Sequence, residues 1–198
     1  MRVTIFDYGA GNLHSLAKAV VAAGGEPAIE ADPFRLSDAE VIVLPGVGAF
    51  GPAAARLAPA GEAIRAAVLA GRPCLGICLG MQLLFDRSEE GEGRGLGVFA
   101  GSVTRLEASR IPQIGWNDVE EVSDPILLRS GVHQVYYANS FVARPDRTDQ
   151  VGGWSSYDGD RFPAAMASSR TLGVQFHPEK SSAPGIALIG AFLEASRS

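Results

Sequence analysis

Apolar residues fall into short runs, each turned by glycine and followed by a stretch with helical spacing. Val3–Phe6 ("VTIF") reads as a buried strand that "DYGAGN" turns. Leu13, Leu16, Ala17 and Val20 then recur at i, i+3, i+4 and i+7, predicting a helix that Gly24 and Gly25 stop. Val41–Leu44 ("VIVL") is the next clear strand, ended by "PGVG", and an alanine-rich helix is expected from about Ala53 to Ala70, closed by Gly71. "PCLGI" is a third strand, and "GMQLLF" opens a third helix. Strands that are apolar throughout are covered on both faces. Their alternation with helices predicts a parallel α/β sheet.

The character changes after about Ser88. "EEGEGRGLG" is a glycine- and charge-rich loop, and "GVFAGSVTRL" alternates as an edge hairpin does. "VHQVYYANSF", "GGWSSYD", "FPAAMAS" and "TLGVQFH" read as short strands with turns between them, and an apolar helix, Ile186 to Leu193, follows. No internal repeat, low-complexity tract or linker interrupts the chain. Its 198 residues are expected to form one domain.

Composition narrows the function classes. With 46% apolar and 20% charged residues the chain is ordinary globular material. A net charge of −5 argues against non-specific binding to nucleic acid or anionic membrane, both of which need basic patches. No apolar run approaches the ~18–20 residues of a membrane span. Asp7 inside the first apolar stretch makes a poor signal peptide. The only cysteines, Cys74 and Cys78, lie too close together for a disulfide framework, so a reducing cytoplasm is expected.

Cys78 stands in Gly76-Ile77-Cys78-Leu79-Gly80, a Gly-x-nucleophile-x-Gly pattern between a strand and a helix. A sharp turn there holds the middle side chain out above the sheet, and the glycines let neighbouring elements pass closely. The helix dipole would favour a thiolate. The alternative is a core cysteine, which is how Cys74, inside the strand run, is read. Zinc is disfavoured because the C-x3-C spacing is wrong and no second cysteine pair exists.

A nucleophilic cysteine needs a base. His14 lies beside the apolar stripe of the first helix and His133 in a polar stretch, so both read as structural or surface residues. His177 follows "LGVQF", where Pro178 prevents the strand from continuing, and strand ends are where α/β sheets place their sites. Glu179 is spaced to hold and polarise its imidazole. Two other glycine-rich stretches carry less. "GAGNLH" has His14 where a dinucleotide fingerprint needs its third glycine, and "GEGRGLG" lacks the Lys-Ser/Thr ending of a phosphate loop.

"GICLGMQLL" together with "GVQFHPEKS" resembles the triad class of glutamine amidotransferases. "LPGVGAFG", "DYGAGNLHSL", "IPQIGWN" and Lys180 narrow the resemblance to the glutaminase subunits of imidazole glycerol phosphate synthases, over essentially the whole chain. The resemblance implies a flavodoxin-like, doubly wound mixed sheet flanked by helices. It also implies a glutaminase that needs no cofactor and no metal. In this class Cys78 attacks the glutamine side-chain amide, His177 is its base and later acid, and Glu179 orients His177. Backbone of Gly46, Val47 and Gly48, with the N–H of Leu79, would hold the oxyanion. Gln82, Asn139, Ser140 and Phe141 would line the substrate's α-amino and carboxylate ends.

The resemblance further implies a heterodimer with a (β/α)8-barrel cyclase, which takes the ammonia and makes imidazole glycerol phosphate and AICAR in histidine biosynthesis. Asn12, Trp116, Tyr136 and Lys180 would carry that contact. Glycines on either side of Val47 make a peptide flip easy, so ligand-bound cyclase is expected to turn the Val47 N–H toward the oxyanion. Three positions depart from the family pattern: Gln113 and Asn139 stand where histidine is common, and Phe141 where tyrosine is. The competing readings are a glutaminase for another synthase, such as anthranilate synthase, and an inactive scaffold.

Overall fold

In the computed structural model, which describes residues 1–11 and 13–197, the first half alternates as its hydrophobic spacing requires. The order is β1 (Arg2–Phe6), α1 (His14–Ala22), β2 (Glu26–Glu30), β3 (Val41–Leu44), α2 (Phe50–Leu57), α3 (Gly61–Leu69), β4 (Cys74–Ile77) and α4 (Leu79–Gln82). The second half adds β5 (Gly101–Arg105), β6 (Gln113–Asp118), α5 (Pro125–Ser130), β7 (Gln134–Asn139), β8 (Phe141–Pro145), β9 (Val151–Tyr157), β10 (Asp160–Ser168), β11 (Thr171–Val174) and α6 (Ser182–Ala195).

Seven strands form one sheet in the order β2-β1-β3-β4-β11-β10-β9. The first five are parallel, and β10 and β9 extend them antiparallel. Two antiparallel ribbons, β5–β8 and β6–β7, stand apart from it. Burial on both faces is visible within β3. Val41 and Val43 join the apolar cluster that takes in Leu16 and Val20 of α1 and Leu188 and Phe192 of α6. Ile42 and Leu44 join the opposite cluster, with Phe50, Ile64 and Val68. This is the doubly wound mixed sheet that the resemblance implied.

The differences from the sequence reading have local causes. The alanine-rich helix begins earlier, at Phe50, and is two helices: Pro59, with no N–H to donate, sits in a 3-10 turn, Ala58–Ala60, between α2 and α3. The helix opened by "GMQLLF" is a single turn. The N–H groups of Gly95, Leu96 and Val98 return to the carbonyls of Asp86, Leu83 and Leu84, so the backbone turns to that loop instead of continuing the helix. Three strands, β2, β6 and β8, carry no clear signal in the sequence; in β8 ("FVARP") only Val142 and Ala143 are buried, and Arg144 and Pro145 follow them. β2 ("EPAIE") is an edge strand, which tolerates proline and charge. β6 is half-exposed. "GVFAGSVTRL" is no hairpin; its one strand, β5, pairs with β8. The last helix is longer than expected, Ser182–Ala195. No helix among the described residues is long and apolar enough to cross a membrane.

Candidate active site

The carboxyl ends of β3, β4 and β11 lie side by side, with Leu44 opposite Gly76 and Ile77 opposite Val174. The residues just beyond those ends are Gly46, Cys78 and Gln175 to His177. Sheet order alone therefore brings three distant segments of sequence to one place.

Cys78 has φ 48° and ψ −104°, a backbone conformation that L-residues seldom adopt. It is held there from both sides. Its N–H donates to the Val174 carbonyl at 2.7 Å, and its carbonyl accepts from the Gln82 N–H at 3.1 Å. The flanking glycines are needed for space: a β-carbon on Gly76 would stand 2.7 Å from the Gly80 carbonyl oxygen, and one on Gly80 would collide with the Leu44 carbonyl. With α4 only one turn long, few peptide dipoles align behind the sulfur. Its polar neighbours are instead His177 and the Gln175 side chain, whose Nε2 lies 3.5 Å from Sγ.

His177 is buried at the end of the segment that leaves β11. The strand stops at Val174, earlier than the sequence suggested, because the His177 N–H turns away to the Tyr136 carbonyl on β7 at 2.9 Å. Imidazole Nδ1 lies 2.8 Å from Glu179 Oε1. Burial by itself would lower the His177 pKa. The negative charge and hydrogen bond of the Cys78 thiolate, joined by those of Glu179, outweigh it and raise the value to about 10. Glu179 Oε2 is buried without a protein partner.

Gly46 lies directly under these groups, since a β-carbon on it would stand 2.8 Å from His177 Cε1 and 3.0 Å from Cys78 Cβ. Its smallness is demanded by this contact, whereas Gly48, at φ +103°, needs glycine's conformational freedom. Leu79 supplies the first N–H of α4, which has no carbonyl of its own helix to bond.

Gln82 is buried, and its Nε2 donates both to the Phe141 carbonyl at 3.0 Å and to Gln175 Oε1 at 3.3 Å. Only its carbonyl oxygen is left to offer a substrate. The Ser140 carbonyl accepts from the Leu106 N–H at 2.9 Å, and the Phe141 carbonyl accepts a second bond from Asn139 Nδ2 at 3.2 Å. A carboxylate bound to this backbone would therefore have to use its N–H groups. Asn139 faces Gln113 across β6 and β7, both buried, and Gln113 Oε1 and Nε2 and Asn139 Oδ1 have no protein partner.

Trp116 is not core. It is 50% exposed and meets Tyr136 edge-on, with ring centroids 6.2 Å apart, while Lys180 Nζ lies 5.8 Å from the Tyr136 ring. Asn12 lies outside the described residues. His14 is exposed, as is His133, whose Nδ1 bonds the Gly131 carbonyl at 3.0 Å. Cys74 is wholly buried, and burial pushes its thiol up to about 12.

Two residues close to this site went unread in the sequence. Gln175 showed itself only as an uncharged polar residue inside an apolar run. Glu90, in the glycine-rich loop, accepts the Phe50 N–H through Oε2 at 2.9 Å and caps α2 just past Gly48. It borders a groove of about 510 Å³, together with Ala49, Gly51, Pro52, Glu92 and Arg94. That groove contains neither Cys78 nor His177.

The glutamine amidotransferase class-I family matches residues 4–194. The chain is 41% identical over 195 residues to the imidazole glycerol phosphate synthase subunit HisH of Pyrococcus furiosus, covering 96% of this chain and 97% of that protein. It is 42% identical over 199 residues to the same-named subunit of Chlorobaculum tepidum, covering 97% and 99%. Among solved structures, a chain of PurLQS from Thermotoga maritima superposes with a TM-score of 0.78 at 19% identity, covering 98% of each chain. That last likeness is one of fold.

Proposed function

Because the chain belongs to the class-I glutamine amidotransferase family, we propose that it is the glutaminase subunit of an imidazole glycerol phosphate synthase, with Cys78, His177 and Glu179 as its triad. The reading is carried by one observation: a strained Cys78 shares a buried site with an imidazole whose other nitrogen is 2.8 Å from Glu179. The near-full-length likeness to the HisH subunits selects this synthase over anthranilate synthase.

In the first half-reaction the Cys78 thiolate attacks the side-chain amide carbon of glutamine. The resulting oxyanion is met by the N–H of Leu79 and by one from the Gly46-Val47-Gly48 turn. Each such donor is worth about 10²–10³ in rate. His177, as imidazolium, gives its proton to the departing nitrogen, the C–N bond breaks, and ammonia leaves a glutamyl thioester. In the second half-reaction His177 takes a proton from water, whose oxygen attacks the thioester. The C–S bond breaks with its electron pair on sulfur, releasing glutamate. Glu179 keeps Nδ1 protonated so that Nε2 faces the chemistry.

Ammonia released into water would be protonated and lost, so the subunit works in a heterodimer with the cyclase, on the face carrying Trp116, Tyr136 and Lys180. The whole chain acts as one amidotransferase domain. Two unpaired cysteines favour a reducing compartment, the cytoplasm. The test is glutamate release by the chain alone and with a cyclase subunit bound to its nucleotide ligand. Activity that requires the cyclase and vanishes in Cys78→Ala supports the reading. Equal activity with and without cyclase removes the partner, and none in any mixture removes the function.

A further inference from the structure

We propose that Gln175 is a positioning residue for the nucleophile, held by a relay of side-chain amides that starts at the Phe141 carbonyl and ends with an N–H aimed at the Cys78 sulfur. The proposal rests on the reading of Cys78 as the nucleophile. It adds a fourth group to the Cys–His–Glu set.

The two ends of a side-chain amide have nearly the same shape, so orientation has to come from the bonding network. Here the network leaves one choice. A backbone carbonyl can only accept, so the end of Gln82 that lies 3.0 Å from Phe141 O is Nε2. The same Nε2 lies 3.3 Å from the near end of the Gln175 amide, which must be the acceptor Oε1. The far end of Gln175 is therefore Nε2, 3.5 Å from Cys78 Sγ. Asn139 Nδ2 donates to the same Phe141 carbonyl and anchors the start of the relay. Gln175 is wholly buried and Gln82 nearly so, which denies either amide water as an alternative partner.

An N–H pointed at sulfur favours the thiolate over the thiol and over the neutral thioester sulfur, because charge-assisted hydrogen bonds are the stronger ones. Gln175 and His177, two residues apart in the segment leaving β11, thus act on the same atom. His177 exchanges the proton; Gln175 holds the charge that remains. The same N–H assists when water breaks the thioester, since the C–S bonding pair then returns to sulfur. The relay also begins on the strand read as holding the far end of glutamine, so the strand that grips substrate and the nucleophile are joined by two hydrogen-bonded side chains.

The test is alkylation of Cys78 by iodoacetamide in the full-length chain, followed by mass spectrometry across a pH series, with Cys78→Ala as the background. In Gln175→Leu the rate near neutral pH is expected to fall roughly 10- to 100-fold, the worth of a hydrogen bond to a charged group, and to recover the wild-type plateau in alkali. In Gln175→Glu the fall is larger, because a carboxylate repels the thiolate. An unchanged rate near neutral pH overturns the proposal. So does an equal loss at every pH, which marks damaged packing. The readout uses neither glutamine nor cyclase, so it separates from the glutaminase reading, whose failure would be a wild-type complex that releases no glutamate.

Discussion

Gly46 lies so close to His177 that a β-carbon on it would stand 2.8 Å from the imidazole Cε1. The same carbon would be 3.0 Å from Cys78 Cβ and from the Ile77 carbonyl oxygen, so it has no direction in which to yield. In Gly46→Ala the imidazole has to move, and a displacement of about 1 Å at a reacting group costs on the order of 10² in rate. The expected result is a loss of at least that size in kcat/KM for glutamine, measured as glutamate release with the cyclase present. Activity within a few-fold of wild type would mean that the Gly46 segment relaxes freely.

Cys78 sits at φ 48° without being glycine, and such conformations cost of order 1–3 kcal/mol. Glycine adopts them without strain but loses more freedom on folding, by roughly 0.5–1 kcal/mol. Cys78→Gly is therefore expected to be inactive and yet about 1 kcal/mol more stable than Cys78→Ala, whose β-carbon keeps the strain. Urea unfolding of the two variants measures the difference directly. Equal midpoints at equal slope would show that the turn stores no strain.

The pH dependence of His177 follows from its neighbours. Burial opposes protonation, but the Cys78 thiolate and Glu179 prevail and raise the pKa from 6.5 to about 10. A folded-state value above the unfolded one means that imidazolium favours folding. That contribution is complete below pH 6.5 and is lost as pH climbs through about 10. The stability gap between wild type and His177→Gln is thus expected to narrow over this interval, by urea unfolding at successive pH values. In Cys78→Ala, NMR titration should find His177 losing its proton at lower pH, since the largest raising influence is gone. An unchanged titration would assign the shift to Glu179 alone.

Residues whose role depends on local spacing were legible in the chain. Gly-x-Cys-x-Gly announced a tight turn, and His-Pro-Glu announced a strand end with a carboxylate beside it. The parallel half of the sheet was legible for the same reason, since strands covered on both faces are apolar throughout. Gln175 was not legible. Its meaning depends on Gln82, which meets it once β4 and β11 pair, and on Phe141, whose carbonyl Gln82 bonds once the β5–β8 ribbon folds beside the sheet. The one-turn length of α4 was hidden for a similar reason. Its continuation is apolar, and only the return of Gly95 to Val98 onto its carbonyls ends it. Gly46 was read for flexibility, and the structure gives proximity to His177 as the stronger reason.

Gln113 is 2% exposed, and neither end of its amide has a protein partner, while its cross-strand neighbour Asn139 leaves Oδ1 unpartnered. An unpaired buried polar group costs about 1–3 kcal/mol. Gln113→Met keeps the length of the side chain and removes both polar atoms, so a gain of about 1 kcal/mol is expected in urea unfolding. A loss of similar size would show that the amide is hydrogen-bonded through water and contributes to holding Asn139 beside Phe141.

Trp116 is half exposed, meets Tyr136 edge-on, and stands on the same face as Lys180. A large aromatic in this position contributes little to folding, and removing a surface side chain of this kind usually changes stability by no more than about 0.5 kcal/mol. At the centre of an interface the same residue is worth about 2 kcal/mol or more, roughly 30-fold in affinity. Trp116→Ala is therefore expected to unfold at nearly the wild-type urea concentration. Its dissociation constant for the cyclase, by titration calorimetry, should be at least about 30-fold weaker. Glutamate release should return once the cyclase is supplied above that constant, because the triad is untouched. If affinity is unchanged, the cyclase docks elsewhere, and the Trp116–Tyr136–Lys180 face is an ordinary part of the surface. If activity stays low at saturating cyclase, Trp116 transmits the partner's effect to the Cys78 site as well as binding it, and the route would run through Tyr136, whose carbonyl holds the His177 N–H.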